Sequence, residues 1–322
     1  MELRPLGFGE IFDRAITLYI RNFVPFAGIV SVFVIPLAVL QYFLDSASMP
    51  QWDLMMRTLE HPGQTPPPPT LPAFLTSPAQ AALFIVLILM AWLLWPFALN
   101  ACTVGVARLY RGRTVEFGAC YAASLERWPA VIGLLFLEAA IFIVWYIAFV
   151  LGLMLCVLAI VGFAQLGSSL GVGLAVLVAL IGLVFCAAGL LLLAPLIVAL
   201  SFAMNAIVIE GQPAISALGF GFARVFNRRE IWRALLFAVA AGTIMVGASM
   251  LISAVVLVAM VLHLIVLEVF ISSLFRAAVT PFSVVLLAIY YFDVRIRREG
   301  FEIEAELDRL ADTPRVAWSS PR

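Results

Sequence analysis

Residues 111–129 read RGRTVEFGACYAASLERWP and lie between two long apolar runs. Apolar side chains recur there every three to four residues, at Phe117, Tyr121, Leu125 and Trp128. On a helix this spacing forms one apolar face, with the charged side chains elsewhere. The stretch therefore predicts an amphipathic helix at the membrane surface that leads into a membrane span.

Two looser copies of this stretch also precede apolar runs. Residues 4–23, RPLGFGEIFDRAITLYIRNF, place an apolar face at Phe8, Ile11, Phe12, Ala15 and Tyr19. Residues 211–232, GQPAISALGFGFARVFNRREIW, place one at Ile215, Leu218, Phe222 and Phe226. We therefore predict an all-α, polytopic membrane protein of three repeats, each with one interfacial amphipathic helix and two membrane spans. The predicted repeats are residues 3–110, 111–210 and 211–300.

The composition supports this class. Hydrophobic residues make up 64% of the chain and charged residues 12%, and the mean hydropathy is +1.12. No soluble domain could bury that much apolar surface. The formal net charge of zero indicates no nucleic-acid partner. The four cysteines have no paired spacing and no nearby histidine, so we expect no metal site, no disulfide framework and no cofactor.

The apolar runs predict six spans in a single membrane domain. The first two are residues 23–44 and 81–109, and two longer runs, 130–208 and 231–292, each exceed the about 20 residues of one crossing. We divide the first long run at 165–173 and the second between His263 and Glu268. The resulting third and fourth helices are long, so we expect them to tilt or to project beyond the membrane. We predict an external Pro-rich loop at residues 45–79 and a cytosolic tail at residues 301–322.

Arginine placement predicts the orientation. In a six-span arrangement all arginines except Arg57 and Arg276 fall on the side of both termini. Positive charge concentrates on the cytoplasmic side of membrane proteins, so both termini are expected there. We expect ten of these arginines to meet lipid headgroups or the interface: Arg14, Arg21, Arg113, Arg127, Arg224, Arg228, Arg229, Arg295, Arg297 and Arg298.

The even-numbered spans each carry one proline, at Pro96, Pro195 and Pro281. The first two lie 99 residues apart, as do Gly112 and Gly211. A proline inside a helix removes a backbone hydrogen bond and bends the helix, so three related kinks could face a common centre. The alternative is that each proline is tolerated because neighbouring groups satisfy the freed carbonyl.

Ionisable residues within the apolar runs are Glu138, Glu268 and Arg276. A charge in hydrocarbon costs at least about 2.5–3.5 kcal/mol, so each needs a partner or water. We hypothesise an ion pair between Glu138 and Arg276. The alternative is a protonated Glu138 bonded to a neighbouring helix, with Glu268 at the outer interface. Neither histidine, His61 nor His263, lies near a nucleophile or a second base, so no enzyme is expected.

Two motifs at the ends of the chain resemble a known family. They are Gly-Glu-Ile-x-Asp-Arg, at Gly9, Glu10, Ile11, Asp13 and Arg14, and aromatic-Asp-x-Arg-x-Arg-x-Glu-Gly, at Phe292, Asp293, Arg295, Arg297, Glu299 and Gly300. The chain resembles, over its whole length, the glycerophosphoryl diester phosphodiesterase membrane-domain family of bacterial polytopic proteins. Some members of that family carry a fused phosphodiesterase, but no hydrophilic stretch here is large enough for one. The resemblance implies a membrane module, associated with envelope or lipid metabolism, without that activity.

The sequence thus favours a non-enzymatic, multi-pass protein of the bacterial cytoplasmic (inner) membrane that binds or handles lipid. One alternative is a scaffold or partner subunit of a membrane complex, acting through the cytosolic face or the tail. A secondary transporter would need polar groups that converge near the midplane at broken helices, and only Glu138 and Arg276 approach that requirement.

Overall fold

The computed structural model describes residues 6–60, 77–228, 230–262 and 264–299, with the backbone alone for 47–60 and 298–299. These residues form ten α-helices and contain no strand. In chain order the helices are α1 (Phe8–Arg21), α2 (Phe23–Glu60), α3 (Pro78–Leu89), α4 (Trp95–Tyr110), α5 (Phe117–Glu126), α6 (Trp128–Ala164), α7 (Ser169–Glu210), α8 (Ala214–Val225), α9 (Ile231–Val261) and α10 (Ile265–Glu299). A π-helical segment, Met90–Leu94, joins α3 to α4.

Six stretches of the described chain are long and apolar enough to cross a membrane. They are Phe23–Ser46, Pro78–Tyr110, Trp128–Ala164, Ser169–Glu210, Ile231–Val261 and Ile265–Arg297. The predicted all-α fold with six spanning helices is therefore confirmed. Many large apolar side chains on these helices are exposed in the isolated chain, as expected where lipid tails surround them. The division into three repeats stays a prediction.

Both long apolar runs break at or near the predicted positions. Helix α6 ends at Ala164, and the Ser168 hydroxyl accepts a hydrogen bond from the Gly171 N–H at 3.1 Å to begin α7. This capping satisfies one of the free N–H groups at the helix start, and it confirms the predicted break at 165–173. The second run breaks between Val261 and Ile265, at the N-terminal edge of the predicted 263–268 turn.

Helices α6 and α7 are the longest pair of consecutive spans. With 37 and 42 residues they measure about 55 and 63 Å at 1.5 Å per residue, against about 30 Å for the hydrocarbon core of a bilayer. Their lengths agree with the expectation that they tilt or project beyond the membrane.

Helix α2 is longer than the sequence predicted. It continues from Phe23 to Glu60 and so includes the first part of the predicted 45–79 loop. Pro25 lies in its first turn, where the backbone N–H groups have no intrahelical partner, and is therefore tolerated. The Pro-rich run at 66–69 and the predicted tail at 301–322 lie outside the described residues.

The chain divides into two compact units. The first unit contains Met1–Glu126 and Thr243–Arg322, and the second contains Arg127–Gly242. In the first unit, α2 packs against α10 and α4, and the core includes Phe26, Tyr290, Tyr291 and Phe292. In the second unit, α7 packs against both α6 and α8.

Helices α6 and α7 are joined by two reciprocal aromatic contacts. The Phe185 ring of α7 covers Gly152 of α6, and the Phe149 ring of α6 covers Gly189 of α7. A Cβ atom at either glycine would overlap the ring that faces it. The two rings stack with centroids 5.7 Å apart. Small residues thus allow close approach of the two helices, as is common in membrane interfaces.

Candidate functional site

The short helices pack on the long ones through small residues. Helix α5 packs on α4, α8 packs on α7, and α1 packs on α10. In α5 the buried residues are Cys120 and Ser124, and in α8 they are Ala217, Gly221 and Val225. A Cβ atom at Gly221 would lie 2.2 Å from the Ala199 carbonyl oxygen, so α8 touches the backbone of α7 directly.

The bulky apolar faces predicted for α5 and α8 point mainly away from the protein. Phe117, Leu125 and Trp128 are exposed, and so is Ile215, whereas Tyr121 is half-buried. In α1 the predicted face is largely buried, since Ile11, Ala15 and Tyr19 have little exposure. Sequence reasoning identified these faces but missed the small-residue face that contacts the protein in α5 and α8.

Hydroxyl groups hold two of the short helices against the spans. The Tyr19 hydroxyl donates to the Ala278 carbonyl, and the Tyr121 hydroxyl donates to the Ile29 carbonyl at 2.6 Å. The Ser124 hydroxyl donates to the Phe97 carbonyl at 3.2 Å. Burial raises the pKa of Tyr19 to about 12 and also raises the pKa of Tyr121, so both phenols keep the proton they donate.

The helices that carry the two end motifs, α1 and α10, pack together in the first unit. Asp293 is 1% exposed and accepts hydrogen bonds from the Leu6 N–H at 2.7 Å and from Arg297 Nε at 3.1 Å. Arg297 also donates to the Leu6 carbonyl. The neighbouring Phe292 ring stacks on Tyr110 at 4.4 Å, and the Arg14 guanidinium lies 5.9 Å from the same Tyr110 ring. The second motif therefore holds Leu6, just before α1, in place.

The predicted interfacial arginines differ in exposure. Arg295 is buried, and Arg14 and Arg224 are half-buried. The Arg127 guanidinium lies against Gly211 at the C-terminal end of α7, where the helix dipole favours a cation. The exposed members of the set are Arg21, Arg113, Arg127, Arg228 and Arg297. Arg229 and the side chain of Arg298 lie outside the described residues.

The three predicted kink prolines lie in different local settings. Pro195 and Pro281 are buried inside α7 and α10, which continue through them. Pro96 lies two residues after Leu94, the last residue of the π-helical segment Met90–Leu94. The wider π turn relieves the clash between the proline ring and the preceding carbonyl. A common centre for the three prolines stays a prediction.

The predicted Glu138–Arg276 pair also stays a prediction, because Glu138 belongs to the second unit and Arg276 to the first. Within the first unit, Arg276 interacts electrostatically with Asp45 and Glu268. Asp45 shares hydrogen bonds with Gln41 and with Glu268. Sequence reasoning missed this acidic pair, although each carboxyl group stands at the end of an apolar run.

A groove of about 480 Å³ lies between α2 and α10, next to this acidic pair. Its volume falls within the roughly 300–1,000 Å³ that is typical of small-molecule sites. Its lining is apolar except for Ser31, Tyr42 and Ser273, and the Ser31 hydroxyl is already satisfied by the Ala27 carbonyl. On α2 the lining runs from Ser31 to Phe43, which is about 18 Å along a helix. That length is close to half of the about 30 Å hydrocarbon thickness, or one leaflet.

The acidic pair lies at one end of the groove. Asp45 follows the last lining residue of α2, Phe43, by two positions, and Glu268 lies two positions after the first lining residue of α10, Val266. Glu268 is only 8% exposed. One carboxyl oxygen of Asp45, Oδ2, is buried and has no hydrogen-bond partner among the described residues. The groove thus combines a one-leaflet apolar wall with a partly unsatisfied acidic end.

Comparison with known proteins gives no further information about this chain. No protein-family model, no curated protein and no solved structure matches the chain. The described residues also hold no group of three or more histidine, cysteine or acidic side chains arranged to bind a metal ion.

Proposed function

We propose that this chain is a non-enzymatic integral protein of the bacterial cytoplasmic membrane that holds a lipid acyl chain in the groove between α2 and α10. The observation that carries the proposal is the groove itself. It lies within two membrane-spanning helices, it is apolar along its walls, and it is about one leaflet long.

An acyl chain is the occupant that suits these walls. Water would lack the polar partners that keep it in a cavity, and an empty groove would forfeit the dispersion contacts of its lining. Lipid tails surround the exposed faces of the spanning helices. Because these tails are as apolar as the groove, packing rather than the hydrophobic effect must hold one chain there.

The proposed orientation places both termini in the cytoplasm. In that orientation the exposed Arg21, Arg113 and Arg228 face anionic headgroups, which attract arginine near the membrane surface. Phe117 and Trp128 are exposed as well, and aromatic side chains of this kind are enriched at the membrane–water interface. The short helices then act as interfacial anchors for the spans that they join.

The resemblance in the end motifs supports a membrane module without phosphodiesterase activity. In this structure the resembling residues have a structural use, because Asp293 and Arg297 bind the backbone of Leu6. We propose that the chain is similar in role to the membrane module of that family.

A partner subunit of a membrane complex is the second candidate. The observation that favours it is the α6–α7 hairpin, whose helices are about 55 and 63 Å long and exceed the about 30 Å hydrocarbon thickness. The projecting part of such a hairpin would offer a surface to a protein partner.

Filling the groove tests the lipid proposal. Ala38 lines the groove, so Ala38→Phe should exclude the acyl chain. Native mass spectrometry of gently extracted protein should show one retained lipid on the wild-type chain and an occupancy reduced about tenfold or more in the variant, since tenfold corresponds to about 1.4 kcal/mol of lost packing.

The matched control is Ala148→Phe, which makes the same change at an exposed position of α6 outside the groove. It should leave the retained lipid unchanged. Equal lipid retention in Ala38→Phe and the wild type, with both variants folded by thermal unfolding, would contradict the proposal. A co-purifying polypeptide in place of lipid would favour the partner-subunit candidate.

A further inference from the structure

We infer that the groove takes its acyl chain from one leaflet only, the leaflet on the side of the membrane opposite the two termini. In the proposed orientation this is the outer leaflet of the cytoplasmic membrane. The inference rests on the proposed function and adds the source of the lipid. Three observations carry it: the position of the groove along its helices, the closed end of the groove, and its open side.

The groove occupies the part of each helix that is remote from the termini. On α2 its lining begins at Ser31, about 12 Å along the helix after Phe23, and ends at Phe43. On α10 it runs from Val266 to Ala277, near the start of a helix that continues to Glu299. The groove therefore begins near the middle of a hydrocarbon core of about 30 Å and ends on the side opposite the termini.

Charged side chains mark the membrane surface at the same end of the groove. Asp45 and Glu268 lie within one helical turn of the last lining residues there, Phe43 and Val266. Arg276 lies deeper in α10, and its guanidinium interacts with both carboxyl groups, so its side chain extends toward this end. Arginine within a span reaches toward the nearer interface in this way. This end of the groove thus lies at the surface opposite the termini.

Aromatic side chains close the other end of the groove. The Tyr19 hydroxyl donates to the carbonyl of Ala278, the residue next to the last lining residue of α10, Ala277. Between centroids, the Tyr19 ring lies 5.8 Å from the Phe282 ring of α10 and 6.4 Å from the Phe26 ring of α2. Tyr19 and Phe26 are both buried. These three rings form an aromatic floor between the groove and the leaflet on the side of the termini.

The groove is open along its side. Ile35 and Val39 of α2 and Phe270 and Leu274 of α10 line it and are exposed. A chain of the adjoining leaflet can therefore enter sideways while its headgroup stays at the surface that it already occupies. A chain from the other leaflet would have to pass the aromatic floor or carry its headgroup through hydrocarbon, and transfer of a polar group into hydrocarbon is unfavourable.

Leaflet-restricted photo-crosslinking tests the inference. The full-length chain with a C-terminal affinity tag is reconstituted into phosphatidylcholine vesicles, sparsely enough that most occupied vesicles hold a single chain. The vesicles are sorted by whether the tag is accessible from outside. Phosphatidylcholine with a diazirine in its acyl chain is then exchanged into the outer leaflet alone, and crosslinks are mapped by peptide mass spectrometry. Labelling of Val39 and Phe270 is compared with that of Val258, an exposed residue near the end of α9 that does not line the groove.

The expected labelling differs between the two populations. With the tag inside, the labelled leaflet is the one opposite the termini. Val39 and Phe270 should then be labelled about tenfold more than Val258, which corresponds to about 1.4 kcal/mol of preferential occupancy. With the tag outside, they should be labelled no more than Val258. The excess should disappear in Ala38→Phe and remain in the control Ala148→Phe.

The outcomes separate this inference from the proposed function. An excess at Val39 and Phe270 with the tag outside, alone or in both populations, would overturn the leaflet assignment and leave an acyl chain in the groove. No excess in either population would reject the acyl-chain groove itself. The comparison of the two wild-type populations decides between these outcomes even where Ala38→Phe fails to fold.

Discussion

Replacing Gly221 with alanine is expected to lower the free energy of unfolding of the second unit by about 3 kcal/mol, at the upper end of the usual cost of overpacking. The new methyl group would lie 2.2 Å from the Ala199 carbonyl oxygen and 3.0 Å from the Ala203 nitrogen. Both are backbone atoms inside α7, so they cannot move aside as a flexible side chain would. Helix α8 must therefore separate from α7. Thermal unfolding in detergent, followed by circular dichroism, measures the loss.

Gly219→Ala is the matched control for this variant. Gly219 lies in the same helix and has open space where its Cβ atom would be. Alanine forms helices better than glycine by about 1 kcal/mol, so this variant should be as stable as the wild type or slightly more stable. Equal stability of the two variants would show that α8 does not touch the backbone of α7.

Asp293→Ala is expected to cost about 3 kcal/mol of stability, the low end of the range for removing one partner of a buried ion pair. Asp293 accepts from the Leu6 N–H and from Arg297, so its loss removes the acceptor of a buried N–H and leaves the guanidinium with the Leu6 carbonyl. The cost should lie at the low end of this range because the Arg297 side chain is 35% exposed and can be hydrated. The midpoint of thermal unfolding should fall, and limited proteolysis should cleave the N-terminal segment sooner.

The control for Asp293 is Asp13→Ala. Asp13 is an exposed acidic residue of α1, and its removal should change the unfolding midpoint little, because surface charges contribute little to stability. If Asp293→Ala were as mild as this control, the contact between Leu6 and the second end motif would not hold the fold together.

The features that depend on local sequence were predictable. Long apolar runs located the six spans, Gly and Ser residues located the turn before Ser169, and apolar spacing of three to four residues located the short amphipathic helices. Each of these signals depends only on residues that are close together in the sequence. The small-residue face of α8 could also have been predicted from the sequence. Ala217 and Gly221 stand four residues apart and match Ala199 and Ala203 of α7, a pattern typical of close helix packing in membranes.

The groove and its acidic end were beyond sequence reasoning. Hydropathy locates each span but does not say which spans are neighbours, so it could not place α2 beside α10. Asp45 and Glu268 come from opposite ends of the chain, and each alone reads as a residue at the membrane interface. For the same reason Arg276 was matched by depth with Glu138, whereas in the first unit the acidic pair lies close to it.

Photo-crosslinking tests the acyl-chain groove most directly. Phosphatidylethanolamine with a diazirine in its acyl chain is incorporated with the wild-type chain into nanodiscs, irradiated, and mapped by peptide mass spectrometry. If an acyl chain occupies the groove, crosslinks should be concentrated on facing residues of α2 and α10, such as Val39 and Phe270. These crosslinks should disappear in Ala38→Phe. Crosslinks spread over the exposed apolar surfaces of α6 and α7 in proportion to exposure, with no excess between α2 and α10, would contradict it.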